Sequence, residues 1–137
     1  MFKLVKTLTA WWPVKVYEPD PENPGKFLPF EFEVEFEILD RDEVKKNQRD
    51  RAALFAEYEA ESGEQRLAEL QDRLDALQER DFLRVVRNWR GVVDDTDKPI
   101  LFSEQMLVAA LKRNHVREGI NVAYAEAIDT GKARLGN

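Results

Sequence analysis

Apolar and charged residues alternate strictly from Phe30 to Ile38, within the stretch KFLPFEFEVEFEIL, Lys26 to Leu39. The apolar positions of the alternation are Phe30, Phe32, Val34, Phe36 and Ile38. A period of two predicts a β-strand with one buried face. A second extended stretch, Trp11 to Pro19, precedes it, and the DPENPG between them supplies the Pro, Asn and Gly typical of a turn. Residues 1–39 are therefore predicted to form an antiparallel β-hairpin region.

A helical pattern replaces the alternation after Leu39. Two capping boxes predict where helices begin: Asp40 with Glu43, and Ser62 with Gln65. Leucines recur every three or four residues from Leu67 to Leu77, and further apolar positions extend this stripe to Trp89. We therefore expect residues 40–90 to contain an antiparallel helical hairpin, Arg41–Glu61 against Glu64–Asn88.

Residues 91–131 are predicted to form a turn followed by two C-terminal helices. Ser103 is a typical N-cap before an apolar helical stripe, and the RNH of residues 113–115 interrupts that helix. The last helix is expected to end at Gly131, a natural C′ residue, and residues 132–137 to form a frayed tail. The predicted fold class is α+β: an N-terminal antiparallel β-hairpin, then a mainly helical region of about four helices, in a single domain spanning residues 1–137.

The composition narrows the possible functions. The chain has 137 residues, a net charge of −6 and no cysteine, which excludes disulfides and thiolate-based metal sites. An acidic balance disfavours nucleic-acid binding, because phosphate affinity comes mostly from clustered Lys and Arg. No apolar run has the length of a membrane span, and the N-terminus lacks the pattern of a signal peptide. We expect a soluble protein that binds another protein, and the lack of cysteine permits a reducing cytosol.

Two features could take part in chemistry, an acidic loop and the single histidine. Neither predicts catalysis. Asp94, Asp95 and Asp97 suggest a calcium loop, yet Pro99 is followed by apolar residues where an EF-hand needs its Gly and further ligands. A turn that uses Asp for its geometry is the better interpretation. The single histidine, His115, has no partner that the sequence can identify. We predict no enzymatic activity and no catalytic, cofactor-binding or metal-binding residues.

The glutamates between the apolar positions of the second strand allow two interpretations. Glu31, Glu33, Glu35 and Glu37 form a carboxylate strip, which is either a solvated face opposite groups such as Lys15 or a surface that receives a basic partner. A long strand from Phe30 to Ile38 at a sheet edge would also permit self-association.

The order of these features resembles the tail assembly chaperones of long-tailed bacteriophages and prophages. The similarity lies in Trp12 to Val44, with its Pro-Val strand, Pro/Gly turn and Phe-alternating strand, and in the second half of the chain. There the resemblance rests on three stretches: Trp89 to Asp97, PILFSEQML from Pro99 to Leu107, and INVAYAEAI from Ile120 to Ile128. The chain departs from the family pattern in its longer helical hairpin, from about Arg51 to Glu79, and in its Glu-rich strand.

The resemblance implies a role without catalysis in the cytoplasm of the host bacterium. Such proteins bind the long, largely helical tape measure protein, keep it soluble while the tail tube polymerises, and are absent from the mature virion. Tail tube protein is a further possible partner. An apolar groove surrounded by charge would suit this role. The candidate groove residues are Leu107, Leu111, Val116, Ile120 and Tyr124.

Two other functions stay open at this point. A structural head-tail joining or minor tail protein could combine a hairpin and helices at this size. An acidic regulator or DNA mimic would use the carboxylate strip and predict salt-sensitive binding.

Overall fold

The structure is a computed structural model and describes residues 1–136. Its contacts divide the chain into two compact units. Met1–Ile38 and the residues from Val86 onward form one, here called the sheet unit, and Leu39–Val85 forms the other, the helical unit. An antiparallel sheet combined with helices confirms the predicted α+β class. Whether the whole chain behaves as a single domain stays a prediction.

The sheet unit is built on three antiparallel strands in the order β1-β2-β3. They are β1, Leu8–Pro19; β2, Phe27–Ile38; and β3, Val86–Arg90. The predicted hairpin is confirmed, and its register is unbroken from the Leu8↔Ile38 pair to the Pro19↔Phe27 pair. The alternation in β2 produces only part of the expected core, because Val34 and Phe36 are completely buried whereas Phe30, towards the hairpin turn, is 48% exposed. The long edge strand is β1, so the expectation that β2 offers a free edge was wrong.

The third strand replaces what the sequence predicts as the end of a helix. The helix ends at Val85 rather than Asn88, and β3 pairs with β2 through a bulge at Glu35 and Phe36. Two interactions favour the strand: Val86 and Trp89 are buried on the core side, and the two arginines of β3 pair with glutamates of β2. These partners are about fifty residues distant, so a local helical pattern cannot predict them.

Three helices follow the strands in the sheet unit: α3, Glu104–Leu111; α4, Asn114–Ile128; and the short α5, Thr130–Arg134. α4 packs against β1, and α3 and α4 contribute Leu107, Leu111, Ile120 and Ala123 to the core. Ser103 caps α3 as predicted, accepting a hydrogen bond from the Met106 N–H at 3.1 Å. The break between α3 and α4 is also confirmed.

The C-terminal end of α4 differs from the prediction. α4 ends at Ile128 rather than Gly131, and Gly131 lies inside α5. Asp129 explains this, because its side chain accepts a hydrogen bond from the Gly131 N–H at 2.9 Å and so supports a new helical turn. Helix α5 reaches into residues 132–134, which were expected to be frayed, and Asn137 lies outside the described residues.

Gly119 allows α4 to lie directly against β1. A Cβ at this position would lie 2.7 Å from the Lys15 carbonyl oxygen and 2.9 Å from Cγ1 of Val16. Since real Cβ atoms essentially never approach so closely, only glycine permits this separation of helix and strand. The close approach fixes α4 alongside β1.

The helical unit consists of two antiparallel helices, α1, Arg41–Ala60, and α2, Glu64–Val85. Asp40 caps α1 as predicted by accepting the Glu43 N–H at 2.9 Å. Near the start of α1 the two helices are joined by ion pairs: Glu43 with Arg84, Asp50 with Arg80, and Arg51 with Asp81. No residue of α1 is fully buried, whereas Leu70, Phe82 and Val85 of α2 are. The pairing of α1 and α2 therefore leaves most of the surface of α1 exposed.

Candidate partner-binding surfaces

β3 supplies arginine partners to two glutamates of the carboxylate strip of β2. Glu33 accepts two hydrogen bonds from the Arg90 guanidinium, at 2.9 and 3.2 Å, and Glu37 pairs with Arg87 at 3.2 Å. Glu31 stands opposite Lys15 in the strand register, as the sequence suggested.

Arg90 has a second role on the same face. Its guanidinium carbon lies 4.1 Å from the centre of the Trp11 ring, a cation–π contact. The hydrogen bond from Arg90 to Glu33 lowers the pKa of that carboxyl below its ordinary value and raises the pKa of Arg90. Because arginines interleave with these glutamates, the face carries mixed charge, which weakens the case for an acidic mimic of DNA.

The five apolar candidates from the sequence fall mainly in the core of the sheet unit. Leu107, Leu111 and Ile120 are 0 to 1% exposed. Val116 and Tyr124 are half-buried, and the Tyr124 ring packs edge-on against Phe36 with centroids 5.3 Å apart. The helical stripe that suggested a groove holds this core together, and partner contact through these side chains would require the core to open. Partner contact by these residues and by Glu31, Glu33 and Glu35 stays a prediction.

An open groove lies between β1 and α4, with a volume of about 680 Å³. We call it the β1–α4 groove. Its exposed apolar side chains are Tyr17, Phe27 and Val122, which are 56, 65 and 52% accessible. Glu118 and Glu126 line the α4 side, and they lie four residues before and after Val122. Residues spaced by four share one face of a helix, so this wall presents the order acidic, apolar, acidic.

The strand side of the groove is a free sheet edge. Directly after β1, Asp20 donates its N–H to the Lys26 carbonyl, so this pair is hydrogen-bonded. Hydrogen-bonded pairs occur at every second position of an unbroken antiparallel register, so the backbone groups of the even-numbered β1 residues bond to β2. The odd-numbered residues turn their backbone groups outward. Pro13 is one of them, and its missing N–H therefore costs no bond within the sheet.

The ends of the groove are marked by polar contacts. His115 Nε2 lies 2.8 Å from a Glu18 carboxylate oxygen at one end. At the other end the Trp12 indole N–H donates to Glu126 at 3.4 Å. The contacts of Gly119 with Lys15 lie between them, so α4 runs antiparallel to β1 along the groove.

The segment before β1 is also exposed and apolar. Phe2, Leu4 and Val5 are 83, 90 and 51% accessible, and Lys3 and Lys6 stand on either side of Leu4 and Val5. The segment has no helix or strand of its own. It is basic and apolar, the chemical complement of the α4 wall.

The outer surface of α1 is the third exposed apolar surface. Phe55 is 47% accessible and stacks on Tyr58, with ring centroids 6.2 Å apart. Ala52 precedes Phe55 by three residues and Ala56 follows it directly, and both alanines are exposed. Small residues beside one aromatic ring allow another helix to approach closely. We call Ala52, Phe55 and Ala56 the α1 face.

The acidic loop is a self-contained turn, as the sequence indicated. One carboxylate oxygen of Asp94 accepts hydrogen bonds from the Thr96 N–H and hydroxyl and from the Lys98 N–H, at 2.7 to 3.0 Å. These bonds lower the pKa of Asp94, and Asp97 takes a left-handed conformation with φ of 63°. Within residues 1–136, no group of three or more His, Asp or Glu side chains could hold a metal ion.

Sequence reasoning missed the groove and the role of Trp89. The groove joins residues about one hundred positions apart, and no local pattern indicates that they meet. Trp89 is 6% exposed and donates its indole N–H to the Ile100 carbonyl at 2.8 Å, while its ring meets Phe102 edge-on. The β-branched and aromatic residues of VVRNWR, Val85, Val86 and Trp89, are a weak strand signal that could have revealed β3.

Comparisons with protein-family models, curated proteins and solved structures found no match to this chain. Across the part of the chain that the structure describes, no helix has the length and apolar character needed to span a bilayer.

Proposed function

We propose that the protein is a tail assembly chaperone of a long-tailed bacteriophage or prophage. In this role it binds the tape measure protein in the host bacterial cytoplasm, keeps it soluble during tail tube polymerisation, and leaves before the virion is mature. No catalytic step is part of the proposal. Its starting point is the ordered resemblance from Trp12 to Val44 and from Trp89 to Ile128.

The observation that carries the proposal is the apolar surface that an acidic, highly charged chain leaves exposed. The N-terminal segment, the β1–α4 groove and the α1 face all present large apolar side chains. A protein of net charge −6 that also displays such surfaces can cover an apolar partner while the complex stays soluble. That combination is what a chaperone for a sticky, unassembled protein requires.

The α1 face suits a helical partner best. Helices pack by inserting side chains of one into spaces between side chains of the other, and Ala52 and Ala56 leave such a space next to Phe55. α1 contributes no fully buried residue of its own, so a third helix could pack there without disturbing the α1–α2 pair. A largely helical tape measure protein would supply that helix.

The test is co-purification of the tape measure protein encoded in the same genome with a tagged form of this chain. We expect the wild-type chain to retain it and Phe55→Asp to weaken retention by about tenfold or more, as loss of a central aromatic anchor does. Gln48→Asp is the matched control, since Gln48 is also exposed on α1 and gains the same charge. Equal retention by the wild type and Phe55→Asp would remove the α1 face from the proposal. No retention by the wild type would refute the function.

A further inference from the structure

The β1–α4 groove and the N-terminal segment have complementary chemistry. The α4 wall places Val122 between Glu118 and Glu126, and the N-terminal segment places Leu4 and Val5 between two lysines. Both patterns have a charged group at each end and apolar surface between them, with opposite signs of charge. We propose that the N-terminal segment, Met1–Lys6, of one copy of this chain lies extended in the β1–α4 groove of a second copy.

The spacing of the charges agrees with this arrangement. Glu118 and Glu126 are eight residues apart on a helix, which corresponds to about 12 Å along the axis. Lys3 and Lys6 are three residues apart, or about 10 Å in an extended chain. Lysine side chains are long enough to cover the remaining difference. Lys3 and Val5 share one side of an extended chain, and Lys6 lies on the other side with Phe2 and Leu4. With Val5 against Val122, Lys3 pairs directly with one glutamate, and the long Lys6 side chain bends over the open side of the groove to reach the second.

The apolar contacts favour the same occupant. Phe2 and Leu4 are more than four-fifths exposed, and they share one side of an extended chain. The sheet side of the groove offers Tyr17 and Phe27, both more than half exposed. Covering these surfaces removes apolar area from water on both partners, which favours association.

The occupant comes from a second copy because the segment cannot lie along the whole groove of its own chain. β1 runs without a break from Leu8, and the groove begins beside Trp12, about 13 Å further along the strand. A chain that reversed at Thr7 would bring Lys3 back only to about the level of Trp11. Glu118 lies beyond that point, near the Lys15 end of the groove, so one segment cannot meet both glutamates of its own α4.

Two copies can exchange their segments, since each has one segment and one groove. The exchange uses only exposed residues of the sheet unit, so neither core has to change. It also explains why a free strand edge as long as β1 coexists with an apolar segment directly before it. The inference is independent of the proposed function.

Charge reversal on each side of the contact provides the test, with molar mass measured by light scattering after size exclusion. The wild-type chain is expected to show twice the protomer mass of 16.0 kDa at micromolar concentration. Lys3→Glu with Lys6→Glu should weaken association by about tenfold or more, and so should Glu118→Lys with Glu126→Lys. Mixing the two variants should restore the dimer, because each reversed segment then meets a reversed groove.

Glu57→Lys with Glu59→Lys is the matched control for the groove variant, because it makes the same change of net charge on exposed positions of α1. It should leave the dimer intact. A wild-type chain that stays monomeric would overturn the inference, whether its groove is empty, filled by its own segment or reserved for another protein. A dimer that persists in both charge-reversed variants, or variants that do not recover on mixing, would overturn it as well.

Discussion

Replacing Gly119 by Ala tests the packing that positions α4 beside β1. In a solvent-exposed helix the change from Gly to Ala stabilises by about 0.8–1.0 kcal/mol. Here the new Cβ would lie 2.7 Å from the Lys15 carbonyl oxygen, whereas ordinary contacts begin near 3.4 Å. The shortfall is 3.4 − 2.7, or about 0.7 Å, and the nearest atom belongs to backbone, which cannot rotate away. Overpacking of this kind costs about 1–3 kcal/mol, and the upper part of that range is expected.

The two effects leave a net loss of about 2 kcal/mol for Gly119→Ala, which corresponds to a fall in Tm of about 8 °C for a chain of this size. Chemical denaturation followed by circular dichroism measures the free energy of unfolding. Ala125→Gly, at an exposed position of the same helix, is the control, because it isolates the helix-propensity contribution of about 1 kcal/mol. A Gly119→Ala protein as stable as the wild type, or more stable, would refute the close packing of α4 on β1.

Three further predictions follow from the core, a helix cap and an ion pair. Phe36→Ala should cost about 3–5 kcal/mol, because the ring is fully buried; a loss below about 1 kcal/mol in urea denaturation would contradict its place in the core. Ser103→Ala should lower stability by about 1 kcal/mol, since the Met106 N–H loses its acceptor, and Ser103→Asp should restore it. Glu33→Gln should lower the denaturation midpoint at neutral pH. The pKa of Glu33 is depressed by Arg90, so the stabilisation is present above the ordinary value of 4.5 and is lost as pH falls through the lower folded pKa. If the difference in the free energy of unfolding between the wild type and Glu33→Gln does not shrink on acidification, this ion pair does not stabilise the fold.

The strands and caps that depend on nearby residues could be predicted from the sequence. The period of two in β2 identifies both the strand and its buried side, because alternate residues of a strand face opposite ways. Asp40 and Ser103 identify the starts of α1 and α3, since the hydrogen bonds of an N-cap span only three residues.

β3 and the surfaces could not be predicted because they depend on distant partners. The residues after Val85 continue an apolar helical stripe, yet ion pairs with β2 and burial of Trp89 favour a strand there. The stripe that includes Leu107, Leu111 and Ile120 looks the same in sequence whether it faces a core or a partner. The burial of these side chains in the sheet unit distinguishes the alternatives, and it makes them core.

Soluble yield of the tape measure protein, expressed with and without this chain, tests the proposed function most directly. Expressed alone, the tape measure protein should be found mainly in the insoluble fraction. Co-expression with the wild-type chain should move it into the soluble fraction, and mass spectrometry of purified virions should then detect the tape measure protein without this chain. Equal solubility in the two expressions, or this chain found as a stable component of the virion, would contradict the assignment as a tail assembly chaperone.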